Sequence, residues 1–497
     1  MSIIPLFIAI PLGAAFLVSL FGRRIKILPD LLANLCTASL GILSLLSVGI
    51  VREHGMLVYK IGSWAPPVGI SLVLDGLTCF MLVTVNIIAF FITLYSISYM
   101  ARYTAKWKFY TLFLLMLAGM NGVIATGDIF NLYVFLEIAA IASYALVAFG
   151  IEHEELEASF KYAVMGTLAS SFILLGIIFL YSYTSTLNMA DMSNVLLAKG
   201  PGKIVGFVVP LFILGFGLKA AIMPFHAWLP DAHPSAPAPI SAMLSGLLIK
   251  VLGIYALMRI FFNVLGVSQN TYFVLMILGV ISMTLGAFLA IGQHDIKRML
   301  AYSSVSQIGY IMLGIGIATP MAIAGALFHL FNHATFKSLL FLNSGAIEYS
   351  TGTRDLKKMG GLNSHMPVTG ATSLIGSMSI SGMPPLSGFW SKLIIILAAV
   401  QAEYYAMAAI AASVSIITLA YYLKLQKEAF FGTLGEGLEK VKEAPLTMKL
   451  AMIALAAICI AGGLLLLPQV FDLFINSAAK VLSAGNGYAK IVFGSIR

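Results

Sequence analysis

Charge is what this sequence has least of. Of its 497 residues only 10% are Asp, Glu, Lys or Arg, while 60% are hydrophobic. A soluble chain carries about a quarter charged residues, and a soluble fold of this size could not cover its surface with so few. Cysteine is scarce as well: Cys36, Cys79 and Cys459 lie far apart, each in or beside an apolar run, and no CxxC spacing occurs. That argues against iron–sulfur and structural zinc sites. Haem and dinucleotide motifs are missing too. We therefore expect no cofactor in this chain, and any redox chemistry would belong to partner chains. What remains is a polytopic membrane protein, with a mean hydropathy of +0.98.

The formal charge of +9, from 29 Lys and Arg against 20 Asp and Glu, does not signal nucleic acid. Cationic loops are what membrane orientation demands. Spans need roughly 17 to 25 mostly apolar residues, and fourteen candidates emerge: 3–21, 31–51, 72–100, 109–125, 128–149, 160–183, 204–230, 236–262, 272–292, 300–318, 320–346, 368–400, 402–425 and 447–475. The runs are continuous rather than alternating, which excludes a β-barrel, so the fold class is all-α. The first span has no basic leader and is followed by Arg23, Arg24 and Lys26. That order is opposite to a cleavable signal, and we read it as a retained helix.

Odd-numbered loops hold sixteen Lys and Arg, among them Arg102, Lys106, Lys161, Lys297 and Arg354; even-numbered loops hold only Arg52, Lys60, Lys199 and Lys203. The bias predicts odd loops in the cytoplasm and both termini outside. Spans seven and twelve look interrupted. The seventh carries Pro224 and Pro230 in LKAAIMPFHAWLPDAHP, and the twelfth carries Pro384 and Pro385 in SISGMPPLSGFWSK. Proline removes a donor and clashes with the preceding turn, so both helices should break there. Broken helices in matching places suggest two inverted repeats around a midplane pathway. The layout divides the chain into helices 1–3 (residues 1–108), a first repeat of helices 4–8 (109–262), a second of helices 9–13 (263–425), and a cytoplasmic loop with helix 14 (426–497).

Ionisable groups deep inside spans are the informative residues, because each is costly unless it faces a polar interior. Glu137, Lys219, Lys250 and Lys392 fit that description, as do His329, His333 and Lys337 at four-residue intervals on one helix. Isolated cases would read as buried ion pairs or snorkelling side chains. Five sites together do not. Arg259, near the end of its span, reads as a snorkeller, and Lys161 as interfacial. His329 and His333 have a spacing that would suit a metal. No carboxylate lies in their stretch, however, and Lys337 continues the stripe with a drift of about 80°. We expect a hydrogen-bonded proton relay there and no metal. Two charges about 6 Å apart interact by about 3 kcal/mol at an effective dielectric of 20. Moving one charge along such a row can load or unload the next.

At these residues the sequence resembles a known family. It is similar to the antiporter-like membrane subunits of respiratory complex I, to the D subunit of Mrp-type Na⁺/H⁺ antiporters, and to the corresponding H subunit of membrane-bound NiFe hydrogenases and sulfane reductases. The matching stretches are the Glu137 segment, Glu157-Ala-Ser-Phe-Lys161-Tyr, LKAAIMPFHAWLPDAHPSAPAPISAMLSGLLIK, HDIKRMLAYSSVSQIGY, FHLFNHATFKSLLFL and GMPPLSGFWSK, covering about residues 75–425. The resemblance implies fourteen helices in two inverted five-helix repeats and a charged midplane axis. It assigns Glu137 as the essential glutamate, Lys219 as the lysine of the broken seventh helix and Lys250 as the bridge. His329, His333 and Lys337 become the relay of helix eleven, and Lys392 the terminal lysine of helix twelve. Gln307 stands where family members vary. The HAWLPDAHP stretch looks most like hydrogenase-type and complex I-type members.

The expectation is a proton-translocating membrane subunit of a redox-driven complex, with no redox centre of its own. Its partners would be other membrane subunits and a peripheral arm with iron–sulfur, NiFe or NAD(P)H chemistry. The rival expectations are the D subunit of an Mrp-type antiporter and, from another class, a self-sufficient Na⁺/H⁺ exchanger. A sodium site normally wants clustered carboxylates, and only Glu137 stands out in the membrane interior.

Overall fold

The computed structural model describes residues 3–64, 67–200 and 202–495. The chain ends at 1–2 and 496–497, which belong to the first and last segments, lie outside the described residues. Helices stand where spans were read, and eleven among the described residues are long and apolar enough to cross a membrane. Leu6–Phe21 has 16 residues and each half of span twelve has 15, so these fall short of a full crossing. Pro320–Thr351 has ample length at 32 residues, but its stripe of His, Asn, Ser and Lys keeps it out of the eleven.

The helices that position the site are Ile129–Val147, His153–Thr184, Gly202–Ala220 with Leu229–Ser235, Ala238–Leu265, Ile296–Ile317, Pro320–Thr351, Pro367–Ser381 with Ser387–Gln401, and Tyr405–Phe430. Both interruptions fall at the prolines. Span seven stops at Ala220, turns through Ala221 at φ 55°, and restarts at Leu229. Pro224 lies in that gap, whereas Pro230 sits in the first turn of the new helix, where its missing N–H costs nothing. Span twelve stops at Ser381, turns through Gly382 at φ 81°, crosses Pro384 and Pro385, and restarts at Ser387.

Two sequence boundaries need correction. Residues 72–74 are not the start of span three. They belong to a strand, Ser71–Leu74, paired antiparallel with Leu57–Lys60, and the helix begins at Gly76. Asp75 sets that start by accepting the Thr78 N–H at 2.8 Å, an N-cap that separates an extended apolar run from a helical one. Span fourteen does not reach 475. The helix covers Leu446–Leu466, and Pro468 opens a new segment of short helices ending in Tyr488–Ser495.

Loops gather on two faces. Gly127 N–H donates to Ser71 O at 2.8 Å, and Asp128 pairs with Asn188, so loops two, four and six meet. On the other face, Lys297 donates to Ala236 O at 3.1 Å, and Asp295 pairs with Asp355, joining loops seven, nine and eleven. The C-terminal segment folds onto the even-loop face: Asn263 donates to Val481 O at 2.7 Å and to Gly485 O at 3.3 Å. Lys480 and Lys490, outside the loop count, travel with it.

One local motif occurs on both faces. Asp128 caps Ile129–Val147 through the Asn131 N–H at 2.7 Å, and Asp295 caps Ile296–Ile317 through the Arg298 N–H at 2.9 Å. Each aspartate pairs with a residue just past a long helix, whose last threonine (Thr184 or Thr351) donates to the carbonyl two residues on at 3.2 Å. The pairs 128/295, 184/351 and 188/355 share one constant offset in the numbering.

Candidate functional site

The first group of buried charges forms where span seven breaks. Lys219, at the end of its half-helix, places Nζ 3.6 Å from Glu137 Oε1; its side chain is 4% exposed, against 25% for the glutamate. Ser170 donates to the same carboxylate oxygen, and Lys219 donates to the Tyr144 hydroxyl at 3.3 Å. The contact is loose for an ion pair. A helix break supplies the slack, because side chains there are not held by a following helical turn.

The second group gathers Lys250, His329, His333, Lys337 and Lys392, all buried. Lys250 sits where its helix widens into i→i+5 turns, a distortion frequent at functional positions. It donates to Ser245 O one turn earlier. A Cβ on Gly253 would fall 2.5 Å from Ala220 Cβ, so glycine lets this helix close on the end of the first half of span seven. Lys337 donates to Leu300 O at 2.7 Å and to Tyr422 Oη at 3.3 Å. Tyr422 shares a 3.0 Å hydrogen bond with Ser303, to which Tyr421 donates at 2.9 Å. Lys392 donates to Ser415 at 3.3 Å and lies 4.7 Å above the Tyr310 ring. Among the described residues, none of these three lysines has a carboxylate partner within ion-pair distance.

The two histidines share a helix face without bonding each other directly. Their rings stack with centroids 6.2 Å apart, too far for a direct hydrogen bond. His329 Nδ1 instead bonds Ser391 at 2.9 Å, and both nitrogens of His333 lack a partner among the described residues. Gln307 is buried, with both amide atoms unpartnered among the described residues. Lys161 is half-exposed and pairs with Glu157 and Asp231. Among the described residues, no three His, Cys, Asp or Glu side chains converge as a metal site.

Arg259 is not a snorkeller. It is 2% exposed and grips Asp75 with both terminal nitrogens, at 2.7 and 3.0 Å. Thr78 accepts at 3.1 Å, Tyr255 at 3.3 Å, and the Tyr488 ring packs 5.2 Å away. The C-terminal segment and Asp75, just after the strand before span three, close over the end of span eight and bury the side chain. Asp75 was the missed signal: a lone carboxylate inside an apolar run, facing an equally isolated arginine. Lys297, counted as a loop cation, is also buried, at 2% exposure.

Helices crossing an apolar slab, two of them broken, with a row of buried lysines and histidines between, define a multi-pass membrane protein with an ionisable interior. Comparison narrows the class. Residues 126–418 match the family model described as NADH:quinone oxidoreductase/Mrp antiporter, TM, and residues 63–110 match the complex I chain 5 N-terminus. The chain belongs to this family of antiporter-like membrane subunits. It is 36% identical over 433 residues to the D subunit of the Na⁺/H⁺ antiporter of Alkalihalophilus pseudofirmus, covering 87% of each chain. It is equally 36% identical to the N subunit of the NADH-quinone oxidoreductase of Desulforudis audaxviator, covering 86% of this chain and 85% of that one. Its fold matches a chain of an archaeal membrane-bound sulfane sulfur reductase with a TM-score of 0.90 and 30% identity, over 99% of both chains.

Proposed function

We propose that this chain is a proton-translocating, antiporter-like membrane subunit of a multi-subunit redox-driven complex, such as a membrane-bound hydrogenase, a sulfane reductase or a complex I-like enzyme. The observation that carries the reading is the loose Lys219–Glu137 contact of 3.6 Å at a helix break. A lysine can give up its proton where an arginine cannot, and the loose contact leaves either partner free to change charge. Glu137 and Lys219 serve one half-channel, Lys250 bridges, and His329, His333, Lys337 and Lys392 serve the other. The breaks at Pro224 and at Pro384 and Pro385 give these side chains room. Hydrogen-bonded water would have to join His329 to His333, since their rings do not touch.

In this reading fourteen helices span the membrane, and residues 109–262 and 263–425 form two inverted five-helix repeats, flanked by 1–108 and 426–497. The aspartate-capped motif supports the inversion, because it recurs at one offset on opposite loop faces. The odd loops face the cytoplasm and both termini lie outside. Sixteen loop cations against four support that orientation, and adding Lys480 and Lys490 to the outer face leaves the bias in place. The chain carries no cofactor, and redox chemistry belongs to a peripheral arm built by partner chains.

The second reading is the D subunit of an Mrp-type antiporter, favoured by the likeness to the A. pseudofirmus protein. Two tests probe the pathway shared by both readings and the rival of a self-sufficient exchanger. Glu137→Ala and Lys219→Ala should each abolish cation-linked activity in membranes holding the complex; intact activity in both would refute the pathway. Purified chain alone in liposomes should show little Na⁺/H⁺ exchange, and robust exchange would make it a self-sufficient exchanger.

A further inference from the structure

Away from the buried charges, a groove of about 710 Å³ runs down the outside of spans seven and nine. One wall is the start of the helix Gly202–Ala220. The other is the turn after Leu265 and the start of the helix Gln269–Ile291. Gly202, Gly206 and Pro210 are exposed along its floor. A Cβ on Gly206 would meet nothing within 4 Å, so the space in front of this helix is open. Pro210 has no N–H to give the Gly206 carbonyl, which leaves a polar acceptor in the floor. Further down, Val209, Ile213 and Leu214 make the lining apolar.

Polar groups gather at the other end. Both helices begin at the even-loop face, and there Ser268, Asn270 and Thr271 form the rim. Ser268 shares a 3.3 Å hydrogen bond with Thr271 and does not cap its helix with its side chain. First-turn N–H groups therefore stay open to an anion. Among the described residues, no carboxylate lines the groove. Two of the four even-loop cations stand at its mouth. Lys203 follows Gly202 and is exposed. Lys199 lies 5.7 Å from the Tyr183 ring, and the Tyr183 hydroxyl is 3.2 Å from where a Gly202 Cβ would stand.

Length identifies the occupant. From Gly202 to Leu214 the helix rises about 18 Å, little more than half of the roughly 30 Å hydrocarbon slab. A partner's spanning helix would need a seam through the whole slab, whereas one lipid needs a single leaflet. We propose that the groove holds one anionic phospholipid of the even-loop leaflet. Its phosphate sits at the Ser268–Thr271 rim beside Lys199 and Lys203, where cations attract a negative head group. A head-group hydroxyl serves the Gly206 carbonyl, and an acyl chain lies along Val209 to Leu214. The lipid thereby packs against the half-helix that carries Lys219.

The test uses the assembled complex in lipid nanodiscs, with phosphatidylglycerol or phosphatidylcholine carrying a diazirine in one acyl chain. After irradiation, labelled peptides are mapped by mass spectrometry. The phosphatidylglycerol probe should label residues 202–214 and 265–274 roughly tenfold more than the phosphatidylcholine probe. Phe288 and Leu289, exposed further along the same helix, should take both probes alike. Gly206→Leu fills the groove with a side chain whose Cβ meets no clash, and should lower the groove label to the phosphatidylcholine level at unchanged complex content. Lys199→Ala combined with Lys203→Ala, both at the protein surface, should abolish the preference for the anionic probe. Equal labelling by the two probes in the wild type, or a preference that survives Gly206→Leu, would overturn the proposal. So would a groove that takes neither probe and cross-links to another subunit instead, which would make it a protein contact.

Discussion

Two of the buried ion pairs, Arg259–Asp75 and Lys219–Glu137, differ in almost every physical respect. Arg259 and Asp75 meet through two short hydrogen bonds, are 2% and 1% exposed, and are braced by Thr78, Tyr255 and Tyr488. Lys219 and Glu137 touch once, at 3.6 Å, beside a helix break, and the glutamate keeps a quarter of its side chain exposed. The first pair joins a group that does not release its proton to a carboxylate whose two oxygens both accept hydrogen bonds. The second joins two groups that can both change charge. Tight geometry fixes a structure, whereas a loose contact between titratable partners leaves room for a proton to move. The tight pair clasps the strand before span three to the end of span eight. The loose one sits where a helix has been cut to make space.

This contrast can be broken by substitution. Removing one partner of a buried pair leaves an uncompensated charge, at a cost of about 3–5 kcal/mol. Asp75→Ala should therefore lower the amount of folded protein in membranes and its melting temperature, and the added change Arg259→Met should recover most of the loss. A stable, active Asp75→Ala protein would make the tight pair dispensable. Glu137→Gln should leave folding intact and slow translocation roughly a hundredfold, within the range for loss of a positioned proton carrier. If it unfolds the protein instead, the loose pair is structural after all. Tyr422→Phe removes the hydroxyl that Lys337 donates to and should slow translocation several-fold, with a net hydrogen-bond loss of about 1 kcal/mol. Lys161→Ala breaks exposed pairs with Glu157 and Asp231 and should change stability by less than about 1 kcal/mol. A large effect there would show that the odd-face network does more than decorate the surface.

Much of this was readable from residue order because membrane physics punishes exceptions. A lysine in an apolar run has few explanations, so Glu137, Lys219, Lys250, Lys337 and Lys392 announced themselves, and prolines marked both breaks. Three things were hidden. The strand Ser71–Leu74 is as apolar as a helix, and only its pairing with Leu57–Lys60 gives it away. Arg259 sits near a span end, where length alone suggests snorkelling; the C-terminal segment that seals it in lies more than two hundred residues further on. The constant offset that links Asp128 with Asp295 and Thr184 with Thr351 went unread, because these residues cap helices and shape backbone rather than carry chemistry. The histidine stripe was visible, but helix geometry sets its rings 6.2 Å apart, and spacing in sequence does not convert into a direct hydrogen bond.

Lys219→Arg tests the central claim most directly. The substitution preserves the positive charge and much of the length, so a purely structural pair with Glu137 would survive it. A guanidinium does not release its proton at working pH. The measurement is the rate of ΔpH formation in membranes holding the assembled complex, with complex content checked alongside. The expected result is normal assembly with translocation reduced to a small fraction of wild type. A wild-type rate would contradict the claim that this lysine gives up its proton in each cycle.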